Sequence, residues 1–329
     1  MCGKIFKKYN RRGVLNIFWI GLVLVLIKLS YGIEPIQPIP IRIEYNREKA
    51  ELGKILFHDP ILSRDRSVSC ASCHDVYEKW GTDHRKASVG VGGKVGNVNA
   101  PTVFNTFFNF RQFWNGRAKN LKEQVEGPIH NPIEMGMSKR EIEKRLNSIP
   151  FYRKMFKKIY NADRITYDIV IDAIVEFEKA LITPNSKFDR YLRGEVKLSK
   201  EEKEGYMLFK KFGCITCHNG INVGGNSFQK IGAIKPFPWS PENPDRYQLT
   251  KREFDKNRYK VPSLRNIECT YPYFHDGSVQ TLEDAIRTMA YHNLGFKLSE
   301  EEVRKIVAFL KTLTGELPEI LKKDLKDRR

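Results

Sequence analysis

The chain has 329 residues, enough for two ordinary domains, and a formal net charge of +18. Six positive charges and no acidic residue fall in its first 32 residues. Because no basic cluster is interleaved with aromatic residues, the charge indicates a solvated surface and argues against a nucleic-acid partner.

Residues 1–32 have the pattern of a targeting segment. A basic stretch precedes an apolar run at residues 13–27, which is shorter than the about 20 residues that a membrane span needs. Ser30 and Gly32 are small residues where a signal peptidase cleaves, so a cleaved signal peptide is favoured over an N-terminal membrane anchor. Both alternatives predict that the rest of the chain is exported. Residues 33–45, rich in proline, are predicted to be an extended linker.

The rest of the chain is predicted to be mostly helical, with little strand alternation. Capping residues mark helix starts at Asn46, Ser138, Ser199, Thr281 and Ser299. Apolar residues recur at helical spacing over residues 167–182, and Pro184 ends that run. The helix after Ser299 is expected to be the last and to end at Gly315.

Two Cys-x-x-Cys-His units carry most of the chemistry. They are Cys70, Cys73 and His74, and Cys214, Cys217 and His218. Such thiols attach a c-type haem covalently, and the histidine becomes the proximal ligand of the iron. A zinc site would leave the paired histidines unexplained, and a thioredoxin-like redox pair needs a βαβ context that the sequence lacks.

Each unit has its own flanking helices, which predicts an all-α protein with two cytochrome c-like domains. Each domain would carry one covalently bound haem, and the haems would face a common interface. The predicted boundaries are residues 46–188 for the N-terminal domain and residues 189–329 for the C-terminal domain.

The second axial ligand decides whether a haem only carries electrons or also binds a substrate. For the second haem the candidates are Met289, His275 and His292. A thioether would raise the reduction potential and close the iron, whereas a lone methionine is usually core filler. His275 is also suited to a hydrogen bond with a haem propionate.

For the first haem, residues 110–137 contain Trp114, Gln124 and Glu134. An aromatic ring suits a place between two redox centres. A carboxylate over an open iron moves a proton between the two oxygens of a peroxide. A loop glutamate is more often simply solvated, and composition alone does not choose between these roles for Glu134.

Five stretches together resemble the bacterial di-haem cytochrome c peroxidases, a group that includes the MauG-type enzymes. They are LGKILFHDPILSRDRSVSCASCHD (52–75), NAPTVFNTFFNFRQFWNGRAKNLKEQ (99–124), NPIEMG (131–136), GCITCHNGINVGG (213–225) and KVPSLRNIECTYPYFHDGSVQTLEDAI (260–286). The resemblance implies a periplasmic enzyme that reduces hydrogen peroxide with electrons from a small cytochrome c or a cupredoxin. It is compatible with a homodimer.

The resemblance also implies roles for matching residues. The first haem, on His74, would be the low-potential peroxidatic centre, with Glu134 as acid–base carboxylate and Gln124 beside it. Trp114 would lie on the path between the haems.

The second haem, on His218 and Met289, would be the high-potential centre that receives electrons, and His275 would lie near it. A calcium ion would bind at the domain interface, because oxygen ligands suit calcium. Its ligands would be the side chain of Asn99 and the carbonyls of Thr270 and Pro272, with water.

Two positions depart from the family pattern. Asn115 stands where the family usually has Asp, which predicts a weaker hydrogen bond between the haems. In SVGVGG, Val91 stands where members that rest closed have a histidine on the peroxidatic iron. Valine cannot ligate iron, so the first haem is predicted to be open in the resting oxidised protein, unless His84 or, less readily, His130 binds there.

Two other functions remain open from the sequence. A MauG-like oxidase would act on a partner protein, but the MauG pattern has tyrosine at the position of Met289. A non-enzymatic di-haem electron carrier would need neither Glu134 nor Gln124 near an open iron.

Overall fold

The computed structural model describes residues 34–327, and the targeting segment predicted for residues 1–32 lies outside them. Its α-helices are α1 (Arg47–His58), α2 (Cys70–Cys73), α3 (Leu121–His130), α4 (Lys139–Ser148), α5 (Pro150–Tyr160), α6 (Tyr167–Ala180), α7 (Lys187–Leu192), α8 (Lys200–Lys211), α9 (Tyr247–Thr250), α10 (Leu282–Met289), α11 (Glu300–Lys311) and α12 (Glu319–Asp327). Strands β1 (Phe228–Lys230) and β2 (Arg258–Lys260) pair antiparallel. Within residues 34–327, none of the helices has the length and apolar character to cross a membrane.

Local capping explains where several helices begin. The side chain of Asn46 accepts a hydrogen bond from the Lys49 N–H at the start of α1. Ser199 and Ser299 form reciprocal capping boxes at the starts of α8 and α11. The expectation that α11 is the last helix is wrong, because α12 follows it. A short helix such as α12 has too few apolar repeats to be recognised from the sequence. Its burial depends on contact with residues that are distant from it in sequence.

Buried apolar side chains form two separate cores, one for each domain. The first includes buried residues up to Leu181, and the second includes Phe188 and buried residues that follow it. Each of two segments near the ends of the described chain packs into the core that is more distant from it in sequence. Ile36, in the predicted linker, is buried in the second core and bridges to Gly220, whereas Leu321 of α12 is buried in the first core. The two domains are therefore tied together at both ends of the described chain.

Both domains use the same close helix crossing. A Cβ on Gly53 of α1 would lie 1.9 Å from the Ala173 carbonyl oxygen of α6, and a Cβ on Gly205 of α8 would lie 1.8 Å from the Lys305 carbonyl oxygen of α11. Glycine is required because the two backbones touch. Each crossing packs the helix that precedes a Cys-x-x-Cys-His unit against a later helix of the same domain.

A tight aromatic turn is also repeated. Phe113 and Phe274 both have left-handed backbone angles, φ +66° and +69°, and each is followed by an aromatic residue that comes two positions before a positive-φ glycine. Trp114 and His275 thus hold equivalent positions in the two domains. Their rings meet edge to face with centroids 6.4 Å apart.

Candidate haem sites and the interface between them

The first Cys-x-x-Cys-His unit presents its histidine with one nitrogen available for a metal. Cys70 and Cys73 bound α2, and His74 is the residue that ends it. Nδ1 of His74 donates to the Gly81 carbonyl at 3.0 Å, which leaves Nε2 for iron. Burial lowers the pKa of His74, which favours the neutral ring that ligates metals.

The second unit repeats this arrangement. Nδ1 of His218 donates to the Val223 carbonyl at 3.3 Å, and burial lowers the pKa of His218 to about 4. Burial raises the pKa of Cys214 to about 11, which is opposite to the activated thiol of a redox pair. Cys214, Cys217 and His218 line a cavity of about 280 Å³. Two thiols, a neutral imidazole and this cavity fit a covalently bound haem.

The three candidates for the second axial ligand lie in different surroundings. Met289 and His275 line the cavity that contains His218. His275 stacks on Tyr259 with ring centroids 4.2 Å apart, and its Nε2 lies 3.0 Å from the Tyr259 hydroxyl. His292 is outside the described lining of this cavity, and its Nδ1 donates to the Lys235 carbonyl at 3.1 Å. This arrangement favours Met289 over both histidines.

Glu134 is half-buried, and its charge acts on the first unit. The pKa of Cys73 is raised by burial and also by the charge of Glu134, so the carboxyl is within electrostatic range of that thiol. Oε1 of Glu134 accepts from Asn131 Nδ2 at 2.6 Å, and Arg117 attracts its charge. Burial outweighs both effects and raises the pKa of Glu134. A carboxyl with a raised pKa is better matched to proton transfer near neutral pH.

The SVGVGG turn packs against the loop that carries Glu134. Val91 is fully buried, and its N–H donates to the Glu134 carbonyl at 2.9 Å. A Cβ on Gly90 would lie 2.0 Å from the Ile133 carbonyl oxygen, so the two loops are in backbone contact. Asp65 Oδ2 accepts from the Gly92 N–H at 2.9 Å and holds the other side of the turn.

The two histidines considered as alternative ligands are both held by other groups. Nε2 of His84 donates to the Cys269 carbonyl at 3.0 Å, and its ring stacks on Tyr271 with centroids 4.1 Å apart. Nδ1 of His130 donates to the Met137 carbonyl at 2.7 Å, and its Nε2 accepts from the Tyr167 hydroxyl at 2.9 Å. Binding of either histidine to the first haem would break these contacts.

Trp114 joins the two domains through hydrogen bonds. Its Nε1 donates to the Asn99 carbonyl at 2.9 Å, and its own carbonyl accepts from the Lys260 N–H at 2.7 Å. Its ring meets His275 of the second domain. Gln124 follows on the first half of α3 and is half-buried.

The residues proposed for calcium come together at this interface. Asn99, Thr270 and Pro272 line the same cavity as Trp114. Nδ2 of Asn99 donates to the Arg85 carbonyl at 2.9 Å, so Oδ1 is the side-chain atom that remains for a cation. The side-chain oxygen and the two carbonyls are uncharged oxygen ligands of a kind that calcium accepts.

Sequence reasoning misses two cations near these sites. The Arg117 guanidinium lies over the Phe113 ring at 3.4 Å and acts on Glu134. Lys260 is buried and lines the cavity that contains His218, and burial lowers its pKa to about 8. The sequence signal that could have identified these two cations is their position, because both lie within stretches that carry the family resemblance.

Asn115, which departs from the family pattern, is buried, and its Oδ1 accepts from the Arg117 N–H at 3.2 Å.

Known proteins are similar to this chain in sequence. The family model for Di-haem cytochrome c peroxidase matches residues 47–197, and the model for Cytochrome c matches residues 202–314. The chain is 50% identical to a cytochrome c551 peroxidase of Nitrosomonas europaea, over 87% of this chain and 86% of that protein. It is 47% identical to the cytochrome c peroxidase Ccp of Escherichia coli, over 86% of this chain but only 61% of that longer protein.

A solved structure has the same fold. The crystal structure of a MauG-like protein associated with microbial copper homeostasis is 29% identical, with a TM-score of 0.76, and the match covers 87% of this chain and 95% of that chain. The two domains, the two haem-attachment units and these similarities lead to one conclusion. The chain belongs to the di-haem cytochrome c peroxidase family and is a peroxidase with two c-type haems.

Proposed function

We propose that this peroxidase works in the periplasm and reduces hydrogen peroxide to water with electrons from a small c-type cytochrome or a cupredoxin. The observation that carries the proposal is the half-buried carboxyl of Glu134 within electrostatic range of the first Cys-x-x-Cys-His unit, with Val91 in the turn packed against its loop. The peroxidase names of the relatives support the substrate and the type of donor. The basic and apolar pattern of residues 1–32 supports export.

In this proposal Glu134 performs the proton transfer. A haem on His74 supplies the iron that binds peroxide and holds the oxidising equivalents. Glu134 takes the proton from the oxygen nearer the iron and returns it to the far oxygen, so that water leaves when the O–O bond breaks. Two electrons and two protons then complete the conversion of one peroxide to two waters. Arg117 stabilises the charged form of Glu134, which is its form before the first transfer and after the second.

His218 and Met289 would hold the second haem, which would supply the site of electron entry, and Trp114 would lie between it and the first haem. Trp114 donates to the Asn99 carbonyl of the first domain and accepts from the Lys260 N–H of the second, and these two bonds support this path because they hold Trp114 at the interface. Calcium bound by Asn99, Thr270 and Pro272 would brace the same contact.

Rapid mixing separates this function from its rivals. Reduced protein is mixed with peroxide, and turnover is then followed with a reduced cytochrome c or cupredoxin. We expect peroxide-dependent oxidation of the small donor. Oxidation of side chains of a partner protein without donor consumption would support a MauG-like oxidase, which Met289 argues against. No peroxide-dependent oxidation of any donor would defeat the enzyme proposal and leave an electron carrier.

The resting state of the first haem gives a separate prediction. We expect the electron paramagnetic resonance spectrum of the oxidised protein to contain one high-spin haem, because Val91 offers no ligand. V91H is expected to convert that signal to low spin and to slow the reaction of the oxidised protein with peroxide. V95H is the matched control, since Val95 lies in the same loop but is 62% exposed. Two low-spin haems in the unaltered protein would contradict the prediction, and H84A would then test whether His84 is the ligand.

A further inference from the structure

We propose that the ammonium group of Lys260 binds a propionate of the second haem and raises the reduction potential of that haem. Lys260 would thus position the cofactor and tune its reduction potential. The expected effect on turnover rests on the proposed role of the second haem as the centre that receives electrons.

The first observation is a buried cation that lacks a protein counter-ion. Lys260 is 7% exposed. Among the side chains that the structure describes, no carboxylate forms an ion pair with it, and burial is the influence that dominates its charge state. An ammonium group removed from water without an anion costs several kcal/mol, roughly. A buried lysine in a stable fold therefore indicates an anion that binds next to it.

The second observation is where Lys260 lies. It lines the same cavity as Cys214, Cys217 and His218, the residues that attach the second haem. A haem carries two carboxylates, so the group that fills this cavity brings its own anions. A haem propionate in this cavity would therefore be the counter-ion that Lys260 lacks in the protein.

The third observation is the backbone that holds Lys260 in place. On one side it ends β2, where it is paired with Phe228 of β1. On the other side, the Leu264 N–H donates at 3.3 Å to the Val223 carbonyl, which also accepts from Nδ1 of His218. The position of Lys260 is thus fixed relative to the proximal ligand by a very short stretch of chain.

The internal repeat of the fold supports a specific role at this position. The Lys260 N–H donates to the Trp114 carbonyl at 2.7 Å, and the Asn99 N–H donates to the His275 carbonyl at 2.9 Å. Lys260 and Asn99 are therefore equivalent residues, each bonded to the aromatic turn of the other domain. Asn99 is the residue proposed to bind calcium. The position would therefore bind a cation in the first domain, whereas in the second domain the side chain of Lys260 is itself the cation.

The consequence for the haem follows from electrostatics. A fixed positive charge in a site of low dielectric constant favours the reduced iron, which carries one positive charge less than the oxidised iron. Lys260 thus adds to the effect of the Met289 thioether. Both features keep the second haem easy to reduce by an external donor.

The test is a redox titration of both haems in the haem-loaded protein, without peroxide or donor. K260M is expected to lower the equilibrium constant for reduction of the second haem at least tenfold, which is about 59 mV for one electron. K260R keeps the charge and is expected to stay near the unaltered protein. K235M is the control, because Lys235 belongs to the same domain but is exposed to solvent.

A second readout detects the contact itself. The propionate bending modes of the second haem in the resonance Raman spectrum are expected to shift in K260M and not in K235M. If K260M fails to incorporate haem, K260Q replaces it, since glutamine is polar but uncharged. An unchanged potential of the second haem, or a shift of the first haem instead, would overturn the proposal. Failure of the proposed function would appear separately, as absence of peroxide turnover in the unaltered protein.

Discussion

Replacement of Glu134 by glutamine is expected to lower kcat/KM for peroxide by about 10²–10⁴-fold, which is the usual loss when a general acid–base group is removed. Glutamine has the same size, and its carbonyl oxygen still accepts the hydrogen bond that Asn131 Nδ2 donates to Glu134 at 2.6 Å. The loss therefore reports proton transfer rather than packing. Steady-state turnover and rapid mixing with peroxide measure it, and an unchanged haem absorption spectrum shows that both haems are retained.

The pH dependence gives an independent check on Glu134. Burial raises the pKa of this carboxyl above its ordinary value. A base must be deprotonated in the free enzyme, so kcat/KM is expected to fall as the pH drops through that raised pKa, and this acid limb is absent in E134Q. E126Q is the matched control, since Glu126 lies on α3 and its carboxylate is 3.9 Å from the Lys139 ammonium. Turnover of E134Q within a few-fold of the unaltered protein would contradict the assignment.

Replacement of Arg265 by methionine is expected to destabilise the protein by about 3–5 kcal/mol, because it leaves a buried carboxylate without its partner. Arg265 and Asp189 form an ion pair at 2.7 Å, and their side chains are 1% and 0% exposed. Arg265 also donates to the carbonyls of Gln37 and Ile221, at 2.8 and 2.9 Å. Asp189 Oδ1 accepts from the Ile39 N–H at 3.2 Å.

The pair thus fastens the segment around Ile39 to the second domain. Denaturant unfolding of the haem-loaded protein, followed by circular dichroism, measures the loss, and R265M is also expected to expose this segment to protease. The double variant D189L/R265M removes both charges and is expected to be more stable than R265M. K122M is the control, since its ion pair with Asp168 lies at the surface. Stability of R265M equal to that of the unaltered protein would show that the charge of Asp189 is solvated.

Features that depend on neighbouring residues can be predicted from the sequence. The capping boxes at Ser199 and Ser299 open α8 and α11, because a cap and its partner are three residues apart. The Cys-x-x-Cys-His units specify the haem chemistry for the same reason. The predicted run over residues 167–182 corresponds to α6, which ends at Ala180.

Features that join distant parts of the chain depend on the tertiary structure. Periodicity does not tell that Met289 and His275 share a cavity with His218 while His292 is outside its described lining, and only the packing of these segments decides it. Likewise, the contact of His84 with the Cys269 carbonyl appears only when the two domains meet.

The residue types and their short spacings therefore determine that this protein can bind two haems. They also determine the helices that surround those haems. The fold determines which side chains meet across the interface: Trp114 with His275, and a buried Lys260 with the cavity of the second haem. The physical reason is the range of the interactions. Capping and haem attachment act over a few residues, whereas burial and electrostatic pairing depend on segments that only the packing of two separate cores brings together.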